Sequence, residues 1–285
     1  MNFGLIGAAG YVAPRHMQAI KETGNELKVV LDVNDSVGIL DSYFPECKFF
    51  TELEKFDRHI LKCENLDYIS ICSPNFLHES HIKFSLRLES NVICEKPLAT
   101  CPTNLPQLKK VEDQMGKRVF AILQLRLHPS VKILKKMINP NHYYEINLEY
   151  ITPRGPWYFQ SWKGDDRKSG GIETNIGIHF FDMLLWLFGS CEKFNVKYRN
   201  EKKSMGELFL ERAHVKWFLS LDKKDIPDKS LNFYRLMTLD EEEIRFDNVF
   251  SILHTESYKE IFSGKGFGIE DSEAAISLVT NIRES

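Results

Sequence analysis

Six short apolar runs punctuate the first 120 or so residues: Asn2–Ile6, Leu27–Leu31, Lys48–Phe50, Tyr68–Cys72, Asn91–Cys94 and Arg118–Leu123. Amphipathic helical patterns fill several of the gaps between them. The runs are continuous and rich in Val, Ile and Leu, as strands covered on both faces are, and parallel strands with right-handed helical crossovers provide that cover. The first run passes straight into Gly7-Ala8-Ala9-Gly10-Tyr11-Val12-Ala13, a turn of small residues opening a helix. A doubly wound α/β domain with a parallel sheet, over residues 1–123, is the expectation.

From about Leu125 the rhythm changes. A helix is expected over Pro129–Met137, a strand over Tyr143–Thr152, then a Trp- and Gly-rich loop and an apolar helix from about Ile172 to Phe188, stopped by Gly189. Alternating segments at Phe194–Arg199, Gly206–Ser220, Phe233–Leu239 and Glu243–Phe246 predict an antiparallel sheet. Helices over His254–Phe262 and Ile269–Arg283 close the chain, so residues 124–285 are expected to form a second, α+β domain.

Composition removes whole classes of function. With 37 basic and 40 acidic residues the formal charge is -3, so no overall basic field recommends a nucleic acid or a membrane surface as partner. No run approaches the roughly 18 to 20 apolar residues of a membrane span, and the opening residues lack a basic region followed by a signal-length apolar stretch. The six cysteines (Cys47, Cys63, Cys72, Cys94, Cys101, Cys191) are scattered without a C-x-x-C pair. They argue against a zinc site or disulfide framework and for reduced thiols in a cytoplasmic protein.

The glycine-rich turn has the spacing G-x-x-G-x-x-A, one residue longer than the usual dinucleotide fingerprint. Its place between a strand and a helix would set a pyrophosphate over the helix N-terminus, with Gly7, Ala9, Gly10 and Tyr11 as its contacts. Asp32 ends the second strand, 25 residues after Gly7, where an acid accepts hydrogen bonds from an adenosine ribose and repels a 2′-phosphate. That favours NAD over NADP; Asp35 is a second candidate, and both are otherwise solvated loop acids. The fourth strand runs into Ser73-Pro74-Asn75, followed by His78. Strand ends at the switch point of a parallel sheet line the ligand crevice, which makes Ser73, Asn75 and His78 cofactor candidates. A Pro-initiated turn with Asn75 capping the next helix is the alternative.

Glu95-Lys96-Pro97 lies just past the fifth strand, at the same sheet edge. Lys96 there can hydrogen-bond a reacting hydroxyl, and a neighbouring positive nicotinamide would lower its pKa. Glu95 is expected to pair with structure or with the nicotinamide ribose. On the later helix Asn175 and His179 are four apart and share a face, with Asp182 one turn on. Polar groups on so apolar a helix need a cavity or partners, and Gly170-Gly171 before them permits a close approach. A nicotinamide-holding turn followed by a separated lysine and histidine points to a dehydrogenase acting on an alcohol.

In this order, the glycine-rich turn, Ser73-Pro74-Asn75-x-x-His78, Glu95-Lys96-Pro97 and the Gly170-Gly171…Asn175-x-Gly177-x-His179-x-x-Asp182 stretch resemble the Gfo/Idh/MocA family of NAD(P)-dependent sugar oxidoreductases. The resemblance covers nearly the whole chain. It implies a Rossmann domain, then an open, mostly antiparallel sheet with helices on one face. It also implies that Lys96 and His179 bind and deprotonate a substrate hydroxyl while hydride leaves its carbon. The turn continued through Pro14-Arg15-His16, with Leu123-Gln124-Leu125-Arg126, Ser161-Trp162-Lys163 and Asn175-Ile176-Gly177-Ile178-His179-Phe180, is similar to the WlbA/WbpB-type subfamily. These are UDP-N-acetylglucosaminuronate 3-dehydrogenases that supply a 3-keto UDP-sugar to an aminotransferase, en route to the diacetamido uronic acids of bacterial surface polysaccharide (O-antigen). The likeness implies tightly held NAD, contacted also by Glu95 and Gln124, and in some members recycling by 2-oxoglutarate. A homodimer or homotetramer burying the open sheet is implied as well.

Where most of the family has Asp, this chain has Asn175, whose amide cannot relay a proton but can orient a sugar hydroxyl or the His179 ring. A uronate and a diphosphate call for cations, and Arg126, Arg154, Lys163, Arg167 and Lys168 are the candidates, with Lys163 and Arg154 foremost. Trp157, Tyr158 and Trp162 are expected to cover the sugar or uracil face. UDP-N-acetylglucosamine, another sugar or cyclitol, and a non-catalytic NAD or sugar-nucleotide sensor remain alternatives at this point.

Overall fold

The computed structural model describes residues 1–63, 65–246 and 252–285, in two compact units. The first comprises Met1–Ala99, Thr103–Gln124 and a later segment ending at Ser272. Its sheet contains β1 (Asn2–Ile6), β2 (Glu26–Leu31), β3 (Lys48–Phe50), β4 (Tyr68–Ile71), β5 (Asn91–Cys94) and β6 (Val119–Ala121). The order is β3-β2-β1-β4-β5-β6, every pair parallel, so the strand order reverses between β1 and β4. Both turns that follow these two strands therefore open on one crevice.

Phe3, Leu5, Val30 and Ile93 from the strands pack with Met17 and Ile20 of the helix Ala13–Glu22. The helix Leu253–Phe262 also belongs to this unit, not with its neighbours in sequence. The reason is Tyr258, fully buried, whose ring stacks on Phe3 with centroids 5.9 Å apart and whose hydroxyl meets His16 and Ser70.

The second unit holds β7 (Tyr144–Ile151), β8 (Cys191–Arg199), β9 (Lys203–Leu210), β10 (Ala213–Ser220), β11 (Tyr234–Leu239) and β12 (Glu242–Glu243), in the order β12-β11-β7-β10-β9-β8. The sheet is antiparallel except for β7 and β10, which run parallel. The alternating run expected over Gly206–Ser220 is two strands of a hairpin, broken at the charged pair Glu211-Arg212, and β9 begins at Lys203. The predicted helix Ile172–Phe188 is also split. Glu173–Gly177 form a π turn, and the α-helix proper is Ile178–Phe188, ending at Gly189 with φ 95°. Bonding over five residues instead of four inserts about one extra residue, so Asn175 and His179 do not have plain α spacing; such turns recur at functional sites. Among the described residues no helix is long and apolar enough to cross a membrane.

Candidate active site

In the first unit the glycine turn is built by close approach. Gly7 has φ 93°, and a Cβ there would lie 2.5 Å from the Ser73 backbone nitrogen; one on Gly10 would lie 3.0 Å from the Cys72 carbonyl. The two crevice turns thus touch through positions that only glycine fills without displacement. Asp32 is committed to the same turn, accepting from Ala9 N through Oδ2 (2.8 Å) and from Asn34 N through Oδ1 (2.8 Å). A carboxylate has about four lone-pair sites, so ribose hydroxyls still find acceptors there. Tyr11 is 82% exposed with Arg15 5.8 Å over its ring, and Asp35 is exposed.

Ser73, Asn75, His78 and Glu95 are all buried at the neighbouring strand ends. Ser73 Oγ meets His81 Nδ1 at 2.8 Å, and His78 spans the Ser73 and Pro97 carbonyls. Glu95 Oε1 accepts from His254 Nε2 (2.8 Å) and His16 Nε2 (3.2 Å). Burial pushes the Glu95 carboxyl up, but the hydrogen bonds from His16 and His254 outweigh it and hold the group well below the usual carboxylate range. Burial lowers the Lys96 ammonium below its ordinary value, with Glu95 acting the other way. Gln124 is buried, and its side-chain carbonyl has no hydrogen-bond partner among the described residues. Sequence reading missed His16, His254 and Tyr258. His16 could have been found, since it shares the buried face of its helix with Ala13, Met17 and Ile20; nothing local predicts that a histidine 159 residues after Glu95 returns to it.

In the second unit Gly170 and Gly171 have φ 82° and 79°, and a Cβ on them would strike Thr174 and the Arg199 guanidinium at 2.7 and 2.8 Å. The approach they permit is therefore internal. Arg199 bonds the fully buried Glu173 (3.0 Å) and Asp166 (2.6 Å), fixing both ends of the segment that presents Asn175. Asn175 Nδ2 donates to the Tyr158 hydroxyl at 2.6 Å, and Arg154 lies 5.9 Å over the Tyr158 ring. Lys163 lies 4.5 Å over Trp162 and 5.7 Å over Trp157. Burial, then the nearby Arg154, push its pKa down. Two cations gathered in partly buried surroundings form a place for an anion, which would relieve their repulsion. The unit thus brings Arg154, Tyr158, Trp162, Lys163 and Asn175 together, with His179 half-buried further along the same segment.

Arg126 is differently employed. Its guanidinium holds Asp182 through two bonds of 3.0 and 2.7 Å, both side chains nearly inaccessible, so two of its donors serve the fold. Arg167 and Lys168 turn to Asp165 instead.

Residues 1–123 match the family model described as oxidoreductase family, NAD-binding Rossmann fold, and residues 132–276 match its C-terminal alpha/beta domain. A WlbA (WbpB) dehydrogenase from Thermus thermophilus, solved with NAD and alpha-ketoglutarate, is 44% identical with a TM-score of 0.96, covering 99% of this chain and 94% of that one. A second structure from that organism, with NAD and UDP-GlcNAcA, is 43% identical with a TM-score of 0.94 and the same coverage. The glucose-6-phosphate 3-dehydrogenase of Bacillus subtilis is 28% identical over 197 residues, 66% of this chain and 54% of that protein. The chain spans about half the length of the curated relatives it matches. With a dinucleotide turn, a strand-end lysine and both halves of the fold accounted for, the chain belongs to the Gfo/Idh/MocA oxidoreductase family.

Proposed function

We propose that this protein is an NAD-dependent dehydrogenase that oxidises the 3-hydroxyl of UDP-N-acetylglucosaminuronic acid to the 3-keto sugar. The observation that carries the reading is the likeness, over nearly the full length, to the dehydrogenase whose complexes hold NAD with UDP-GlcNAcA or alpha-ketoglutarate. The residues present fit the cofactor. At Gly7 and Gly10 the turn leaves no room for a side chain, and the unpaired Gln124 carbonyl is an acceptor for a ligand N–H or O–H.

Bound NAD supplies a hydride acceptor at nicotinamide C4. Lys96, its pKa lowered by burial, takes the proton of the 3-hydroxyl at Nζ. His179 and Asn175 orient the sugar, Asn175 itself being held by Tyr158. Lys163 and Arg154 receive the uronate carboxylate and Trp162 covers the ring, while Asp32 accepts the adenosine ribose hydroxyls. 2-Oxoglutarate would serve as the final hydride acceptor and leave as 2-hydroxyglutarate. The product goes to an aminotransferase in the assembly of diacetamido uronic acids for surface polysaccharide. A homodimer or homotetramer covers the open sheet around Tyr198, Met205 and Phe218.

Side-by-side turnover of UDP-N-acetylglucosaminuronate and UDP-N-acetylglucosamine tests the assignment. Preference for the uronate by at least about tenfold in kcat/KM is expected if a charge-assisted contact reads the carboxylate. Equal turnover would remove the uronate from the proposal, and none with either would remove the reaction.

A further inference from the structure

His78 is the first residue of the helix His78–Arg87, and its ring is buried at 1% exposure. Its Nδ1 is 2.7 Å from the carbonyl oxygen of Pro97, and its Nε2 is 2.7 Å from the carbonyl oxygen of Ser73. Both partners are pure acceptors. A neutral imidazole has one N–H and one bare lone pair, so in either tautomer one contact would set lone pair against lone pair at hydrogen-bond distance. Only the doubly protonated ring supplies a proton to both. We infer that His78 is a buried imidazolium that staples the switch-point turn at Ser73 to Pro97 and so fixes the backbone beside Lys96. It is a positioning residue for the proton transfer proposed above, and that part of the inference rests on the Lys96 reading.

The charges around the ring are few. Burial pushes the His78 imidazole down from its ordinary value; the Pro97 and Ser73 carbonyls and Glu95 push it up, and Lys96 pushes it down. The positive end of its own helix also disfavours a cation. His81, on the same helix, is pushed down to about 4 by burial and by His78 itself, so it carries no charge near neutral pH. The countercharge is Glu95. Its Oε1 accepts from His16 and His254, and His16 Nδ1 accepts from the Tyr258 hydroxyl (2.8 Å), which accepts in turn from Ser70 Oγ (2.7 Å). Every proton in that chain is placed with His16 neutral, and burial lowers the His16 pKa accordingly. Glu95 therefore keeps its negative charge for His78 and Lys96. The pairing count decides against the burial cost, because no dielectric makes an unprotonated 2.7 Å N···O contact attractive.

Nitrogen-15 NMR of the histidine-labelled, intact protein at neutral pH reads the ring directly, with His78→Gln assigning the signal by its loss. Both His78 nitrogens are expected to show attached protons at neutral pH, and raising the pH should strip the proton from one of them only, leaving the single N–H of the neutral ring. One nitrogen with the shift of a bare lone pair at neutral pH would overturn the imidazolium. Because this needs no substrate, a protein inert toward UDP-sugars but doubly protonated at His78 would sink the proposed reaction and leave the imidazolium standing. Stapling has its own readout. His78→Gln, which donates from one atom only, should lower kcat about tenfold while KM for the UDP-sugar stays within about threefold, the loss of one charge-assisted bond acting on Lys96 alone. Unchanged kcat, or a loss confined to KM, would overturn the positioning role.

Discussion

The two units hold their polar side chains in opposite ways. In the first, His16, Glu95, His254, Tyr258 and His78 are buried, and each is bonded to a neighbour in the same unit. In the second, Asn175, His179, Arg154 and Lys163 stand half-buried, and the fully buried carboxylates Glu173 and Asp182 are tied off by Arg199 and Arg126. On the proposed reading, the cofactor would be served by backbone turns and locked charges, which tolerate little change. The substrate would be met by side chains on a braced but open segment, where one substitution can alter recognition without disturbing the fold.

The sharpest way to break this contrast is Lys96→Met. If the locked unit supplies the base, kcat should fall by about 10² to 10⁴ with NAD affinity nearly unchanged, measured by turnover and by NAD titration. Next comes the open side. Lys163→Met should raise KM for UDP-N-acetylglucosaminuronate by about 10- to 100-fold, the worth of a charge-assisted contact, and leave UDP-N-acetylglucosamine much less affected. A smaller effect is expected of Asn175→Ala. Steady-state kinetics should show a loss of about fivefold to tenfold, one neutral hydrogen bond, and no loss at all would end its positioning role.

The last change tests the coupling of Glu95 to Lys96. If Lys96 is the base, as proposed, its neutral form is the active one and the rate should rise with pH through its pKa. Burial lowers that pKa and Glu95 raises it. Glu95→Gln should therefore move the rise to lower pH, and a pH–rate profile displaced upward would contradict the arrangement.

Much of this was legible in the sequence for local reasons. β1, β3 and β5 have the expected limits because continuous apolar runs flanked by turn residues leave little choice. The place of Asp32 beside the glycine turn was legible because a strand end at a fixed distance from that turn is itself local. The π turn at Glu173–Gly177 was not legible. Its composition suits an α-helix, and the Arg199 that grips its first residue, Glu173, lies far along the chain. The same holds for the helix Leu253–Phe262. An amphipathic pattern announces a helix but not which core receives it, and here the buried hydroxyl of Tyr258 does. Arg126 shows the converse, since an arginine suited to an anion in sequence has a carboxylate from its own fold beside it.

In the proposed reaction hydride leaves C3 of the uronate sugar and reaches 2-oxoglutarate through bound NAD. The most direct measurement is to supply UDP-N-acetylglucosaminuronate carrying deuterium at C3, together with 2-oxoglutarate and purified protein, and follow both products by mass spectrometry. Deuterium is expected at C2 of the 2-hydroxyglutarate, with an unlabelled 3-keto sugar in equal amount. Deuterium retained in the sugar, or 2-hydroxyglutarate formed without it, would contradict this transfer.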